Sequence, residues 1–410
     1  MEIKKIKNGQ LLVIIWILLF VFQDLLSNVF SIFSYIDEIP LILFLVISLA
    51  KITRTGKITI KLEKRKYIMA IVLFVSVGLT GNLLYQYQPW NLVIVDLLTN
   101  LKFFGAIAFF SMCIEETTLE TKRIPNLAKL LTIVLTVLFL LDRFINIFPA
   151  EYRYGVKSVV LFYGHPTYLA GVCAFLIAMM TIYDASKYKF YILLDLIILI
   201  FTLRSKAIVS AIVYFILYVV IKKLHCKLKT WQIIVIGIIG IACAWSQIYF
   251  YFIKLEGQSA RSVMFLISFL ILKDYFPIGT GFATFASHSA AVNYSPVYSK
   301  YGFELIYELR NSATGTFFDD QFWPIILGQT GMIGIVSYLY ILLFLFKKIQ
   351  RLFRVDLDLY MSALFVFLYL LISSIAEPAF NNSVAIPLAM IIAMTVERKT
   401  CVSLQEESER

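Results

Sequence analysis

Apolar residues recur along this chain in runs of about 15 to 22 positions, separated by short polar stretches. A helix of roughly 20 such residues crosses a bilayer. The runs lie near 10–30, 34–50, 67–87, 91–113, 126–147, 161–183, 189–203, 206–221, 231–253, 319–346, 358–376 and 382–396. They predict an all-α integral membrane protein with about twelve transmembrane helices in one polytopic domain, residues 1–410. The runs at 189–203 and 206–221 are short and nearly touch, which predicts a tight hairpin.

The polar stretches alternate in charge. Lys4, Lys5 and Lys7 precede the first run, and every second connection afterwards is basic: Lys51 to Lys66, Lys122 and Arg123, Lys187 and Lys189, Lys222 to Lys229, and Lys347 to Arg354. The positive-inside rule then predicts a multi-pass protein of the cytoplasmic membrane with both termini in the cytoplasm. Composition agrees: 60% of the residues are hydrophobic and 15% charged, which excludes an ordinary soluble domain. The net charge of +11 reflects this topology, so no nucleic-acid partner is expected. The basic start followed by an apolar run mimics a signal peptide, but no small-residue cleavage site follows, and we read an uncleaved first helix. The five cysteines show neither a disulfide framework nor metal-ligand spacing. No metal and no cofactor are expected.

One connection breaks the pattern. Residues 254–318 form a stretch of about 65 residues, predicted to lie outside the cytoplasm. It is too aromatic and apolar for a disordered linker, and loops beyond about 15 residues are usually functional. Within it, Arg261 opens an apolar segment, Ser262 to Leu272, too short to span and suited to an interfacial helix. Pro277-Ile278-Gly279-Thr280-Gly281-Phe282 follows, where Gly279 and Gly281 would let backbone approach a ligand. The loop ends at Asp319-Asp320, where the tenth run begins.

The chemistry-bearing candidates cluster on the predicted outer side. Arg204 sits in the turn of the short hairpin; a cation at the bilayer edge is costly and its fork matches phosphate oxygens, although a snorkelling arginine has the same position. Arg261 at a helix start would join a cation to free backbone N–H groups, together suited to an anion. Asp320, with Asp319 beside it, is a candidate base or a simple helix cap. His165 opens the sixth run in Gly164-His165-Pro166-Thr167, and His288 lies in the long loop. Asp96, Lys102 and Asp195 fall within runs, and Lys102 is expected to pair with one of the two aspartates. Asp356-Leu357-Asp358 has the spacing of a metal-binding motif but lies in a short cytoplasmic connection.

From Gly164 to Gly334 the order of these pieces resembles the O-antigen ligase and polysaccharide repeat-unit polymerase family. The features are Gly164-His165-Pro166-Thr167, Leu203-Arg204-Ser205, Arg261 ahead of Asp274 to Phe282, and the Asp320 segment ending Gly331-Met332-Ile333-Gly334. The resemblance implies a GT-C-like, metal-independent membrane glycosyltransferase. Its donor would be a glycan on a polyprenyl diphosphate, usually undecaprenyl diphosphate, with a flippase and a chain-length regulator as possible partners. It implies that Arg204 and Arg261 hold the diphosphate, with His165, Gly279, Gly281 and Asp319 lining the substrate site. Ligases of the family tend to carry His-Asn where this chain has Asp320-Gln321, so the expectation is a polymerase in which Asp320 orients or deprotonates the acceptor hydroxyl. Tyr294, Tyr298 and Tyr301 are candidates for sugar stacking. A ligase and a lipid-linked-oligosaccharide flippase are the alternatives; a flippase should show repeated halves and discontinuous helices, which the sequence does not display.

Overall fold

In the computed structural model the described residues are 2–55, 62–114, 122–149, 151–228, 232, 249, 259–310 and 317–408. Helices dominate. In chain order they are α1 (Glu2–Val21), α2 (Gln23–Val29), α3 (Ile39–Thr55), α4 (Leu62–Tyr85), α5 (Trp90–Cys113), α6 (Arg123–Ile145), α7 (Pro166–Asp184), α8 (Lys189–Phe201), α9 (Ser205–Leu217), α10 (Ala260–Asp274), α11 (His288–Val292), α12 (Pro296–Lys300), α13 (Phe322–Arg351), α14 (Leu357–Ser373) and α15 (Ala385–Ser408). A two-residue antiparallel hairpin, Tyr152–Arg153 with Val156–Lys157, precedes α7.

Among the described residues six helices are long and apolar enough to cross a membrane, or seven if α1 and α2, bent by 70°, form one span. Segments 39–51, 357–373 and 385–396 are shorter apolar helices, and α8 has 13 residues. The expected span at 231–253 lies outside the described residues. Among the described residues the other apolar runs do become helices, and their surface is consistent with a membrane-embedded protein. Phe144, Phe215 and Leu84 are 83%, 67% and 62% exposed. Large apolar surfaces of this kind need a lipid or protein cover. α7 and α14 are buried along nearly their whole length and form the centre of the bundle.

The long connection does not stay on the surface. Pro277 to Phe282 threads between α4 and α13. α13 breaks at Gly331 (φ 61°, ψ −157°), which withdraws backbone groups from the helical ladder. The threaded loop takes them up: Thr280 N–H donates to Gly328 O at 3.0 Å, Gly281 N–H to Gln329 O at 2.8 Å, and Ile333 N–H to Pro277 O at 3.2 Å. Backbone polar groups inside a bilayer must be satisfied within the protein, so break and loop need each other. Asn82 of α4 closes the other side, donating to Phe282 O and accepting from Phe282 N–H, both at 2.8 Å. Asp96 accepts from Ala283 N–H at 2.9 Å.

Three expectations are corrected here. Gly279 and Gly281 approach protein backbone, not ligand: a Cβ on Gly279 would lie 2.6 Å from Gly331 N, and one on Gly281 2.5 Å from Asn82 N. A discontinuous helix is also present, at Gly331, where none was expected. Lys102 pairs with neither Asp96 nor Asp195. Its partner is Asp37, with Glu38 at 3.8 Å. Asp195 instead accepts from Thr132 Oγ1 at 2.7 Å.

Candidate functional site

The connections poor in basic residues meet at one end of the bundle and carry the candidate chemistry. Arg204 occupies the cap position before α9. The turn into it is tight: Leu203 has a φ of 52°, and Thr202 N–H bonds back to Ile198 O at 3.1 Å. The connection before α7 braces that turn, with Val159 N–H donating to Phe201 O at 2.9 Å and Ser158 Oγ to Thr202 O at 2.8 Å. The same connection delivers Glu151, 3.5 Å from Arg204 Nη2, and His165, whose Nε2 lies 3.0 Å from Nη2. The predicted hairpin and the predicted helix start therefore bring Arg204 and His165 together.

His165 is also the cap of α7. Its Nδ1 accepts from Thr167 N–H at 3.2 Å. An imidazole whose Nδ1 accepts carries its proton on Nε2. That N–H then points at a guanidinium, which only donates. The two donors face each other, and an anionic oxygen between them would satisfy both. Burial, then the charges of Arg204 and Lys206, push the His165 pKa down to about 4, so the ring is neutral near pH 7. The Arg204 guanidinium is itself made less basic, first by burial and then by Arg153, with Arg261 adding to the effect against Glu151 and Glu377. Among the described residues its buried Nε has no hydrogen-bond partner.

Arg261 is the second residue of α10, which Ser259 caps by accepting from Ser262 N–H at 3.3 Å. A cation at a helix start opposes the helix dipole. Two carboxylates offset this: Glu308 accepts from Ala260 N–H at 2.9 Å, and Asp320 Oδ2 accepts from Arg261 Nη2 at 3.2 Å and Nε at 3.3 Å. The predicted short helix is thus present, at 15 residues, packed on α13 and exposing Phe265, Leu266, Phe269 and Leu270. Burial raises the Asp320 pKa and Arg261 opposes the rise. Asp319 is likewise raised by burial, with His288 opposing; the His288 Nδ1 lies 4.0 Å away. As a free base Asp320 is compromised here, because its carboxylate is engaged by Arg261.

Several residues of the cluster escaped sequence reasoning. Lys206 is buried at the second position of α9 and pairs with Glu377, from the connection between α14 and α15. Arg153 and Glu151 come from the small hairpin and pair at 3.2 Å. Lys206 stood two residues from Arg204, and Glu377 is a charge between two apolar runs, so position alone could have flagged both. The tyrosines divide. Tyr298 is fully buried among Phe303 and Phe318 and accepts from Ala286 N–H at 3.0 Å, so it cannot stack on a sugar. Tyr294 and Tyr301 are half-buried, with hydroxyls donating to Leu309 O at 3.1 Å and Asp274 Oδ2 at 2.7 Å.

The result is a patch in which Arg153, Arg204, Lys206 and Arg261 feel one another's charge, threaded by Glu151, Glu377 and Asp320. It suits a multiply charged anion better than a single carboxylate, since paired arginines and a neutral histidine supply several directed donors. No family model matches the chain, and no curated protein matches it.

Proposed function

We propose that this protein polymerises a surface polysaccharide, transferring glycan from a polyprenyl-diphosphate carrier to the next lipid-linked repeat unit outside the cytoplasmic membrane. In this reading it is a GT-C-like enzyme of about twelve spans with both termini cytoplasmic. The observation that carries it is the Arg204–His165 contact beside the Arg261–Asp320 pair, at the helix ends away from the basic loops.

The chemistry follows from the donors. The diphosphate enters between Arg204 and His165, where an oxygen accepts from Nη2 and from Nε2–H. It also competes with Asp320 for Arg261. As the glycosyl bond to the diphosphate breaks, charge grows on the leaving oxygen. Charge-assisted hydrogen bonds from both arginines strengthen with it, lowering the barrier. Asp320, displaced from Arg261, becomes free to accept a hydrogen bond from the acceptor hydroxyl and take its proton. Donor binding thereby readies the base, and base and clamp are not both engaged until the donor is present.

The two helix interruptions are what a flippase reading would draw on. Their backbone groups are consumed internally, by Thr280 and Gly281 at the α13 break and by Tyr163, whose hydroxyl donates to Val21 O at 2.9 Å, at the α1–α2 bend. That favours a transferase. Deleting the gene should abolish long surface polymer while lipid-linked single repeat units persist. Long polymer accumulating on the carrier without reaching its acceptor would make the protein a ligase, and unchanged polymer would refute both.

A further inference from the structure

Resting on the glycan-transfer reading, we propose that Lys206 is a third cation for the carrier diphosphate and that Glu377 is a latch, holding Lys206 until the diphosphate displaces it. Two helices carry the same arrangement. Lys206 is the second residue of α9, as Arg261 is of α10. Each cation is held by a carboxylate from a distant connection, Arg261 by Asp320 and Lys206 by Glu377. A cation in the first turn opposes the helix dipole. α9 carries two, with Arg204 at its cap position and, among the described residues, no side chain capping it. Burial makes the Lys206 placement costlier still, since its side chain is 8% exposed against 30% for Arg261. Neither cation helps α9 to form, and an anion at the helix start offsets both. Lys206 feels the charges of Arg204 and Arg261, so the three cations act on one ligand. A diphosphate has two phosphoryl groups, and two helix starts receive them.

Glu377 has a second place to go. Its backbone is fixed, with Glu377 N–H donating to Ser373 O at 3.0 Å and Ala379 N–H to Glu377 O at 2.8 Å, so the side chain moves and not the chain. Ser373 Oγ, four residues earlier, and Tyr369 Oη, four before that, are buried hydroxyls with no hydrogen-bond partner among the described residues. Native proteins rarely leave such groups unsatisfied. Both can donate to a carboxylate. Residues four apart on a helical turn are neighbours, and Tyr369 already feels the Glu377 charge. With Glu377 on Lys206 these hydroxyls stay idle. With Glu377 turned to Ser373 they are used, and the Lys206 ammonium is free for the second phosphoryl group. A monophosphate, held by Arg204 and His165, leaves the latch shut. The latch therefore selects a diphosphate over a monophosphate.

The test measures the affinity of the full-length, detergent-purified protein for farnesyl diphosphate and farnesyl phosphate, by thermal stabilisation over a concentration series. Wild type should bind the diphosphate about tenfold tighter, the gain from one charged hydrogen-bond donor. Glu377→Gln removes the latch and leaves Lys206 free. Without ligand its melting temperature should fall, yet its preference for the diphosphate should rise above that of wild type. A general charge effect would tighten both ligands, and a purely structural pair would tighten neither. The neutral pair Lys206→Met with Glu377→Gln avoids a lone buried charge and should bind the two ligands alike. Ser373→Ala removes a hydroxyl that bonds to nothing, so the fold survives. It should weaken binding of farnesyl diphosphate alone, and it decides the matter if the other variants do not fold. An unchanged preference in any of these variants, or a wild type that binds both compounds equally, overturns the latch and leaves the transferase reading standing. Wild type stabilised by neither compound overturns the transferase reading, and the latch with it.

Discussion

Arg204→Ala separates function from folding because the two costs differ in size. On the folding side little is lost. The carboxylate partner, Glu151, is 63% exposed and 3.5 Å away, an ion pair of a kind worth about 0.2 to 1 kcal/mol. The buried Nε makes no hydrogen bond whose loss would strand another group. On the functional side, a charged donor whose bond tightens as the diphosphate leaves is worth about 3 to 4 kcal/mol, or a hundred- to thousand-fold in rate. The expected result is a melting temperature close to wild type with polymer synthesis down at least a hundredfold, measured in membranes carrying equal amounts of protein. Arg204→Lys keeps the charge and loses the planar fork, so it should recover part of the activity. Lys223→Ala, an exposed cation on the basic face, should be silent. Normal polymer from a well-expressed Arg204→Ala would refute the diphosphate clamp, and the same result with a large drop in melting temperature would show the side chain to be structural.

Arg261→Ala should behave differently, since it leaves the half-buried Asp320 without its cation; the melting temperature should fall, and adding Asp320→Asn should restore it without restoring polymer, which a melting curve and a polymer gel together check. Gly331→Ala places a Cβ 2.5 Å from Gly279 N at a φ of 61°, so about 3 kcal/mol or more of stability should be lost; wild-type yield and melting temperature in this variant would disprove the locking of loop into helix break. The His165 pKa sits at about 4 in the folded protein, against about 6.5 unfolded. Between those values the unfolded chain holds a proton that the folded chain does not, so stability falls as pH drops from about 6.5 to about 4 and is insensitive to this group above that window. His165→Asn, which keeps a capping acceptor, should flatten that part of a melting-temperature profile; an unchanged slope would rule out His165 as its source.

Which features were legible in the sequence follows from what each depends on. A span is specified by its own residues, because lipid demands an apolar side chain at nearly every position; hence the helices appear where the runs are, and the short hairpin around Arg204 appears as a hairpin. Arg204 and Arg261 stood out for the related reason that a cation near lipid is expensive wherever its partner lies. Partners were another matter. Lys102 had Asp96 in its own run and Asp195 in a later one as candidates, yet it reaches Asp37, 65 residues earlier. Gly279 and Gly281 were read correctly as allowing close approach and incorrectly as to what approaches, since the approaching backbone lies at Gly331 and at Asn82, 200 residues from Phe282. Asp320 looked like a free base because nothing local engages it; Arg261, 59 residues earlier, does. In each case the sequence identifies the group that is costly to bury, whereas the group that offsets the cost is chosen by tertiary packing. Under the proposed transfer, that distinction would also be functional for the Arg261–Asp320 pair: a carboxylate held by the clamp's own arginine would stay unreactive until an anion competed for the arginine, so the partner that sequence could not supply would be the one that couples carrier binding to acceptor activation.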